Sequence, residues 1–171
     1  MAKSNLDSYL AAPEALGREA GLSHDEHQAV RLWLRLLTCS TQIEQVIRGH
    51  LRNEFGTTLP RFDYLAQLSR FPKGLRMKTL SEYLMVTGGN VTGLTDQLEA
   101  EGLVERVADE EDRRSMIVRL TKMGKKQFSA MAAAHESWLE QLLEPLGGDS
   151  ARDLYEQLGK LRLVLNQSQS E

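Results

Sequence analysis

The sequence of 171 residues predicts a mainly α-helical fold with a small β-hairpin wing. Between residues 79 and 101, two apolar stripes with helical spacing are separated by a short turn, which is typical of two packed helices. Two segments of alternating apolar residues follow around a charged loop and predict a hairpin that ends at residue 120. Helix, turn, helix and hairpin in this order indicate a winged helix-turn-helix domain, and the long helical stripes around it indicate an additional helical dimerisation domain.

The N-terminal region predicts a loosely ordered arm followed by a long helix. Residues 1–22 lack a sustained period, although one short helix is expected around residues 13–19. Ser23 and Glu26 form a Ser-x-x-Glu capping box, and the helix that it opens is expected to continue to Gly56. Its apolar stripe consists of Val30, Trp33, Leu34, Leu37, Ile43, Val46, Ile47 and Leu51. A helix of about eight turns is longer than a small core, so we expect it to pack on a second subunit.

A second helix and the helix-turn-helix follow. Thr58 and Pro60 are typical of a helix start, and a turn at residues 72–74 follows that helix. The helix-turn-helix is predicted over residues 79–84 and 88–101, with Thr87 as the N-cap of its second helix and Gly102 as its stop. The second helix is expected to bury Val91, Leu94 and Leu98 and to expose Gly89, Asn90, Gly93, Asp96 and Gln97.

The hairpin and two further helices complete the chain. Strands are predicted at residues 103–107 and 116–120 around a charged loop at 108–114, and Thr121 caps a long helix that ends near Pro145. Asp149 or Ser150 is expected to cap the last helix, whose seam contains Leu154, Leu158, Leu161 and Leu165. Because such a seam needs a partner, three domains are predicted: residues 1–57 and 122–171 for dimerisation, and residues 58–121 as the winged domain.

Composition narrows the class of protein. The hydrophobic content of 41% is sufficient for one sizeable core, and no stretch approaches the roughly 20 apolar residues that span a bilayer. The N-terminus lacks a secretory pattern, and Cys39 is the only cysteine, so a cytoplasmic protein without a membrane partner is expected. The net charge is -3, yet residues 70–78 carry four cations and no acid. This asymmetry is compatible with a basic DNA-binding face on an acidic body.

The region from residue 90 to 124 resembles the MarR family of transcriptional regulators. In the second helix the similarity comprises Asn90, Val91 and Thr92, followed by the Leu-Glu-x-x-Gly-Leu-Val-x-Arg segment at 98–106. In the wing it comprises the Asp-x-Arg pattern of Asp112, Arg113 and Arg114, the strand end at 118–121 and Gly124. The resemblance implies a homodimer that binds double-stranded DNA, with the first and the last two helices forming the interface. It also favours a repressor that a small molecule releases from a pseudo-palindromic operator.

Candidate DNA contacts follow from helix placement in the major groove and from the wing. Asn90 is the first candidate for a base contact, since its amide both donates and accepts, as adenine requires. Arg114 is expected in the minor groove, where Asp112 would orient its guanidinium. The remaining candidates for base, phosphate or sugar contacts are Thr87, Gly88, Gly89, Thr92, Gln97, Lys73, Arg76, Lys78 and Arg113.

Glycines on the exposed face of the second helix depart from the pattern of relatives. Gly88, Gly89 and Gly93 each cost a helix roughly 0.5 to 1 kcal/mol against Ala, so they indicate close backbone approach to DNA or a helix that becomes firmer on binding. A nucleotide-phosphate loop is disfavoured because no Lys-Ser/Thr pair follows Gly93 and no apolar strand precedes Gly88.

An effector site is implied by the resemblance. The candidate lining residues are Trp33, Leu37, Arg48, His50, Arg61, Phe62 and Tyr64, although aromatic residues at helical spacing are also typical of a core. Residues 32–37 resemble regulators of aromatic-acid breakdown, which favours a phenolic or other aromatic acid, or its coenzyme A thioester, as the effector.

Other functions remain as alternatives. Cys39 could sense peroxide, but a buried and inert thiol is the expectation, and His24 with His27 could belong to a metal sensor without support from further ligands. A protein-interaction module of the same fold is a third alternative. The sequence has no catalytic motif, so no enzyme, catalytic residue, bound metal or cofactor is expected.

Overall fold

The structure is a computed structural model that describes residues 28–109 and 115–167. The predicted arm at residues 1–22 and the capping box of Ser23 and Glu26 lie outside these residues. The elements in chain order are α1 (Gln28–Phe55), α2 (Leu59–Arg70), β1 (Leu75–Arg76), α3 (Met77–Leu84), α4 (Gly88–Ala100), β2 (Val104–Ala108), β3 (Met116–Leu120), α5 (Lys122–Leu143) and α6 (Gly148–Gln167). The predicted mainly helical fold with a small wing is confirmed.

Two compact units divide the chain between Glu54 and Phe55, so that all of α1 except its last residue lies in the first unit and every other element lies in the second. The domain boundaries expected at 57/58 and 121/122 stay a prediction. Along α1, ion pairs one turn apart join Arg48 to Glu44 at 2.9 Å and His50 to Glu54 at 2.9 Å. The thiol of Cys39 is exposed, so the expectation of a buried cysteine is wrong, because this helix position faces outward.

The wing sheet has three strands rather than the predicted two. Its order is β1-β3-β2, and both pairings are antiparallel. Strand β1 contains only Leu75 and Arg76, which is too short for a detectable alternation, and α3 consequently begins at Met77 instead of Thr79. Through its pairing with β3, strand β1 connects the segment before the helix-turn-helix to the wing.

The register separates the two faces of this sheet. Leu75 pairs with Val118 and Val104 pairs with Leu120, and all four side chains are buried on the face that packs on the helices. The residues between them alternate to the other side, which we call the outer face: Arg76, Glu105, Val107, Ile117 and Arg119. The sheet therefore presents a partly charged surface away from the core.

The core of the second unit is formed by α2 to α5 and the inner face of the sheet. Its fully buried side chains include Leu65, Leu68, Leu80, Val91, Leu98, Val104, Val118 and Met131. Burial of each such side chain contributes about 1.5 to 3 kcal/mol before entropy is counted. Val91 and Leu98 belong to α4, so the second helix of the helix-turn-helix is fixed to the core along the predicted stripe.

Tyr64 connects α2 to α4 inside this core. Its hydroxyl shares a hydrogen bond with Thr95 Oγ1, and Thr95 Oγ1 also donates to the carbonyl oxygen of Val91 at 2.7 Å. Burial raises the pKa of Tyr64 to about 12, although the hydrogen bond to Thr95 acts in the opposite direction.

This shift predicts a loss of stability in alkali. The pKa of Tyr64 is raised on folding, so its contribution is fully present below pH 10 and is lost as the pH rises towards 12. We expect the free energy of unfolding to fall by about 3 kcal/mol over this window. Urea titrations between pH 9 and 12 measure the slope, which Tyr64→Phe should remove and Tyr155→Phe, at an exposed position, should retain. Equal slopes in wild type and Tyr64→Phe would contradict the assignment.

A junction of Gly102, Leu103, Thr121 and Gly124 joins the end of α4, the start of β2 and the start of α5. Gly102 has a φ of 72°, and the amides of Gly102 and Leu103 donate to Glu99 and Leu98 carbonyls, a Schellman stop. Thr121 caps α5, because its hydroxyl accepts from the Gly124 amide at 3.0 Å and donates to the Gly102 carbonyl at 2.7 Å. Both predicted signals, the stop and the cap, are confirmed.

The last two helices differ in burial. α5 carries a ring cluster with α2, in which Phe62 lies 5.7 Å from Phe128 and 4.8 Å from His135 between ring centroids. Burial lowers the pKa of His135, and the Asp63 carboxylate opposes this. By contrast, α6 buries no residue and exposes Leu154, Tyr155, Leu158, Leu163, Val164 and Leu165.

The ends of these helices test two further predictions. The stop near Pro145 is confirmed, since a short 3-10 turn at Glu144–Leu146 follows α5. The expected cap at Asp149 or Ser150 is wrong, because α6 begins at Gly148 and both residues lie in its first turn. Across the described part of the chain, no helix combines the length and the apolar composition that a bilayer crossing requires.

Candidate nucleic-acid interface

α4 presents one uninterrupted exposed edge. Val91, Thr95 and Leu98 are buried. The expectation that Leu94 is buried is wrong, because Thr95, the next residue, occupies the fully buried position and Leu94 is only partly buried. The opposite edge is exposed and contains Thr87, Gly88, Gly89, Asn90, Thr92, Gly93, Asp96 and Gln97. All the residues that sequence reasoning placed at the major groove on this helix therefore lie on one accessible surface. A helix of this width fits the major groove of B-DNA.

The first turn of α4 has backbone amide groups that can donate hydrogen bonds to a ligand. Thr87 occupies the predicted N-cap position, but its side chain makes no capping hydrogen bond, so the first turn retains amide groups that can meet a phosphate. The hydroxyl of Thr92 donates to the Gly88 carbonyl at 3.0 Å and is thus partly engaged within the helix. No heavy atom lies within 4 Å of a Cβ built at Gly88, Gly89 or Gly93, so no protein packing requires these glycines.

The turn before α4 carries a feature that the sequence did not indicate. Met85 has a φ of 52° and is 93% exposed. The left-handed region is costly for a residue with a side chain, and glycine is the usual solution. The Met85 and Val86 amides donate to the Glu82 and Ser81 carbonyls, which fixes the turn. An apolar side chain is thereby held beside the candidate DNA-contacting edge.

An ion-pair cluster fixes α4 to the wing. Arg106 on β2 donates from its guanidinium to Asp96 and Glu99 of α4, and its backbone amide donates to Glu99 Oε1 at 2.9 Å. The hydrogen bond to Asp96 raises the pKa of Arg106 most strongly, and contacts with Glu99 add to it, while burial acts against them. α4 and the wing strand β2 consequently keep a fixed mutual orientation.

The candidate phosphate contacts lie beside the wing. Lys73 and Lys78 are exposed. Arg76 donates from Nε at 3.0 Å and from Nη2 at 2.7 Å to one carboxylate oxygen of Asp109, a pairing that sequence reasoning missed because the two residues are 33 positions apart. The predicted wing contacts Asp112, Arg113 and Arg114 lie outside the described residues.

The candidate effector residues fall on both units. Trp33 is 60% exposed and Leu37 partly so, while Arg48 and His50 hold their α1 ion pairs. In the second unit, Phe62 and Tyr64 are core residues and Arg61 pairs with Glu101. His24 and His27 of the metal alternative lie outside the described residues, and the described ranges contain no group of three potential metal ligands.

Comparison with known proteins identifies relatives of this chain. The family model of the MarR family matches residues 55–115. The chain is 36% identical to the transcriptional activatory protein BadR of Rhodopseudomonas palustris over 106 residues, 61% of this chain and 60% of BadR. It is 30% identical to the uncharacterised HTH-type transcriptional regulator YfiV of Bacillus subtilis over 150 residues, 88% of this chain and 91% of that protein.

Solved structures of MarR family regulators have a fold similar to that of this chain. A MarR family transcriptional regulator from Silicibacter pomeroyi is 34% identical, with a TM-score of 0.68 and coverage of 85% of this chain and 99% of that one. AbsC, a MarR family regulator from Streptomyces coelicolor, has a TM-score of 0.73 at 22% identity, with coverage of 88% and 99%. At that identity, the likeness to AbsC concerns the fold alone.

Proposed function

The chain belongs to the MarR family of DNA-binding transcriptional regulators, and on this premise we propose that its homodimer represses transcription from a pseudo-palindromic operator. A small aromatic acid or its coenzyme A thioester would release it. The observation that carries the proposal is the exposed polar edge of α4 on a helix whose other face is fixed to the core. Members of this family are transcription regulators and not enzymes.

The homodimer is supported by the apolar surface of α1 and α6. Val30, Leu32 and Trp33 of α1 are exposed, and α6 carries six large exposed apolar side chains without a buried one. Apolar surface of this extent on a monomer is typical of an oligomer interface. Twofold symmetry would present two copies of α4 to half-sites about 10 base pairs apart or a multiple of that distance.

DNA footprinting with the purified full chain tests the proposal directly. A protected stretch with two related halves upstream of its own or a neighbouring gene is the expected result, together with a dimeric mass in solution. A dimer that protects no such stretch would contradict it.

The wing contact has its own prediction. Arg114→Ala is expected to weaken operator binding and to lower the salt dependence by about one phosphate equivalent per protomer, because a cation in the groove displaces a counterion. Fluorescence anisotropy over a range of KCl concentrations measures the slope, with Arg152→Ala on α6 as the matched control at an exposed arginine. An unchanged slope for Arg114→Ala would exclude the contact.

The effector is proposed from the resemblance and from the candidate lining residues that the sequence predicts. An effector acts only when it binds one dimer geometry better than the other. A thermal-shift series with aromatic acids and their thioesters, followed by release of labelled operator, tests this. Stabilisation without release would count against regulation by that compound.

Activation of transcription is a second candidate, favoured by the 36% identity to a transcriptional activatory protein. The same DNA contacts are compatible with activation and with repression of transcription. Transcription in vitro from the footprinted promoter separates them, since a repressor lowers the transcript level and an activator raises it.

A further inference from the structure

Met85, in the turn of the helix-turn-helix, combines an unfavourable backbone conformation with near-complete exposure. Its φ of 52° and ψ of 39° lie in the left-handed region, which glycine adopts without a steric cost and other residues do not. Its side chain is 93% exposed, so packing against the described residues does not compensate for this conformation. A strained residue that the fold does not use is a candidate for a functional contact.

The turn that holds Met85 is fixed by its surroundings. On the α3 side, Leu80 is fully buried, and the ring of Tyr83 stacks on that of Phe71 with centroids 5.5 Å apart. The amides of Met85 and Val86 close the turn through their hydrogen bonds to α3 carbonyls. A contact that the Met85 side chain makes with a partner therefore costs little backbone entropy, because the backbone is already ordered.

Met85 lies beside the end of α4 that meets DNA bases in our proposal. The N-cap position of α4 follows two residues later, at Thr87, and Gly88 and Gly89 have no side chain that would keep the helix start away from a duplex. In helix-turn-helix proteins the N-terminal residues of the second helix contact base edges. The methionine side chain has three rotatable bonds and can extend from the turn towards the same base pairs.

Thymine is the base whose edge suits an apolar side chain in the major groove. Its C5-methyl group distinguishes it from cytosine, and apolar side chains recognise this group by direct contact. The thioether of Met85 is polarisable and adapts its shape to the surface it meets. DNA is favoured over an apolar protein partner because the adjoining edge of α4 is polar, and its burial against such a partner would cost hydrogen bonds to water.

We propose that Met85 is a specificity-determining residue that contacts the C5-methyl group of one thymine in each operator half-site. The exposed side chain on its strained turn serves base recognition and not folding. This inference deepens the proposed function and rests on the placement of α4 in the major groove.

Replacement of single thymines by uracil in the operator tests this contact, because uracil lacks only the C5-methyl group. One symmetric pair of positions should cost the wild type about fourfold in affinity per half-site, the effect of one buried methyl group. Met85→Ala should bind the unmodified operator at least about fourfold more weakly per half-site, and it should not distinguish thymine from uracil at this pair. Met123→Ala, at an exposed methionine beside Gly102 near the other end of α4, should keep the wild-type profile.

Met85→Gly separates recognition from folding. Glycine relieves the left-handed backbone, so this variant should melt no more than about 4 °C below the wild type, or above it, while it loses the same thymine preference. Thermal unfolding followed by circular dichroism measures the melting temperature. A larger fall would show that the side chain serves the fold, which contradicts the inference.

Fluorescence anisotropy at one fixed salt concentration gives the affinities for operator and for unrelated DNA. Identical uracil profiles of wild type and Met85→Ala overturn this inference, and so does an equal loss of affinity on both DNAs, which indicates a contact with the DNA backbone. Both outcomes leave the proposed function intact, since the operator is still bound. A dimer that protects no operator overturns the proposed function, and this inference with it.

Discussion

Gly124→Ala is expected to lower the free energy of unfolding by about 3 kcal/mol or more. A Cβ at this position would lie 1.9 Å from the carbonyl oxygen of Leu103, a distance that no rotamer change can relieve because the backbone fixes the position of a Cβ and the oxygen is itself a backbone atom. The same carbonyl accepts the Thr121 amide at 3.1 Å. The substitution therefore forces apart the end of α4, the start of β2 and the start of α5.

Urea denaturation monitored by circular dichroism measures this effect. Gly159→Ala is the matched control, since it lies within α6 with no heavy atom within 4 Å of the added Cβ. This control should not destabilise the protein and should gain up to about 1 kcal/mol from helix propensity. A stability of Gly124→Ala close to wild type would show that the junction does not pack as described.

Asn90→Ala is expected to reduce operator affinity by about 1 to 3 kcal/mol per half-site, which amounts to roughly 30- to 20,000-fold for a symmetric dimer if the halves add. Asn90 is exposed on the groove-facing edge of α4, so its replacement leaves the core unchanged. Binding to DNA of unrelated sequence should be nearly unaltered, because phosphate contacts supply that affinity.

The measurement is the ratio of operator to non-specific affinity at one fixed salt concentration. Gln141→Ala removes an exposed amide from α5, away from the groove-facing edge, and should keep the wild-type ratio. An unchanged ratio for Asn90→Ala would remove this residue from base readout, whereas an equal loss on both DNAs would make it a phosphate contact.

Local signals predicted much of the fold. The apolar period gave α4 to within one residue of its observed end, and Gly102 and Thr121 marked their turns correctly. A residue type at a fixed offset from a helix end acts through nearby backbone groups, so such signals can be found in the sequence alone. The exposed edge of the candidate interface followed from the same period.

Features that depend on residues far apart in the sequence were not predicted. Strand β1 has two residues and exists because β3 pairs with it, 43 positions away at Leu75 and Val118. The pair of Arg76 with Asp109 and the cluster of Arg106 likewise depend on tertiary placement. The left-handed turn at Met85 is a local feature, but its residue type gives no sign of it.

The open space around Gly88, Gly89 and Gly93 has a consequence for the evolution of target preference. Each position can accept a side chain without repacking the protein, since nothing lies within 4 Å of the added atom. A single codon change could therefore add a new hydrogen-bonding group to the edge of α4 that we propose faces the bases, at no cost to the stability of the scaffold. Close descendants of this regulator can acquire different operators through these three sites while the rest of the domain stays constant.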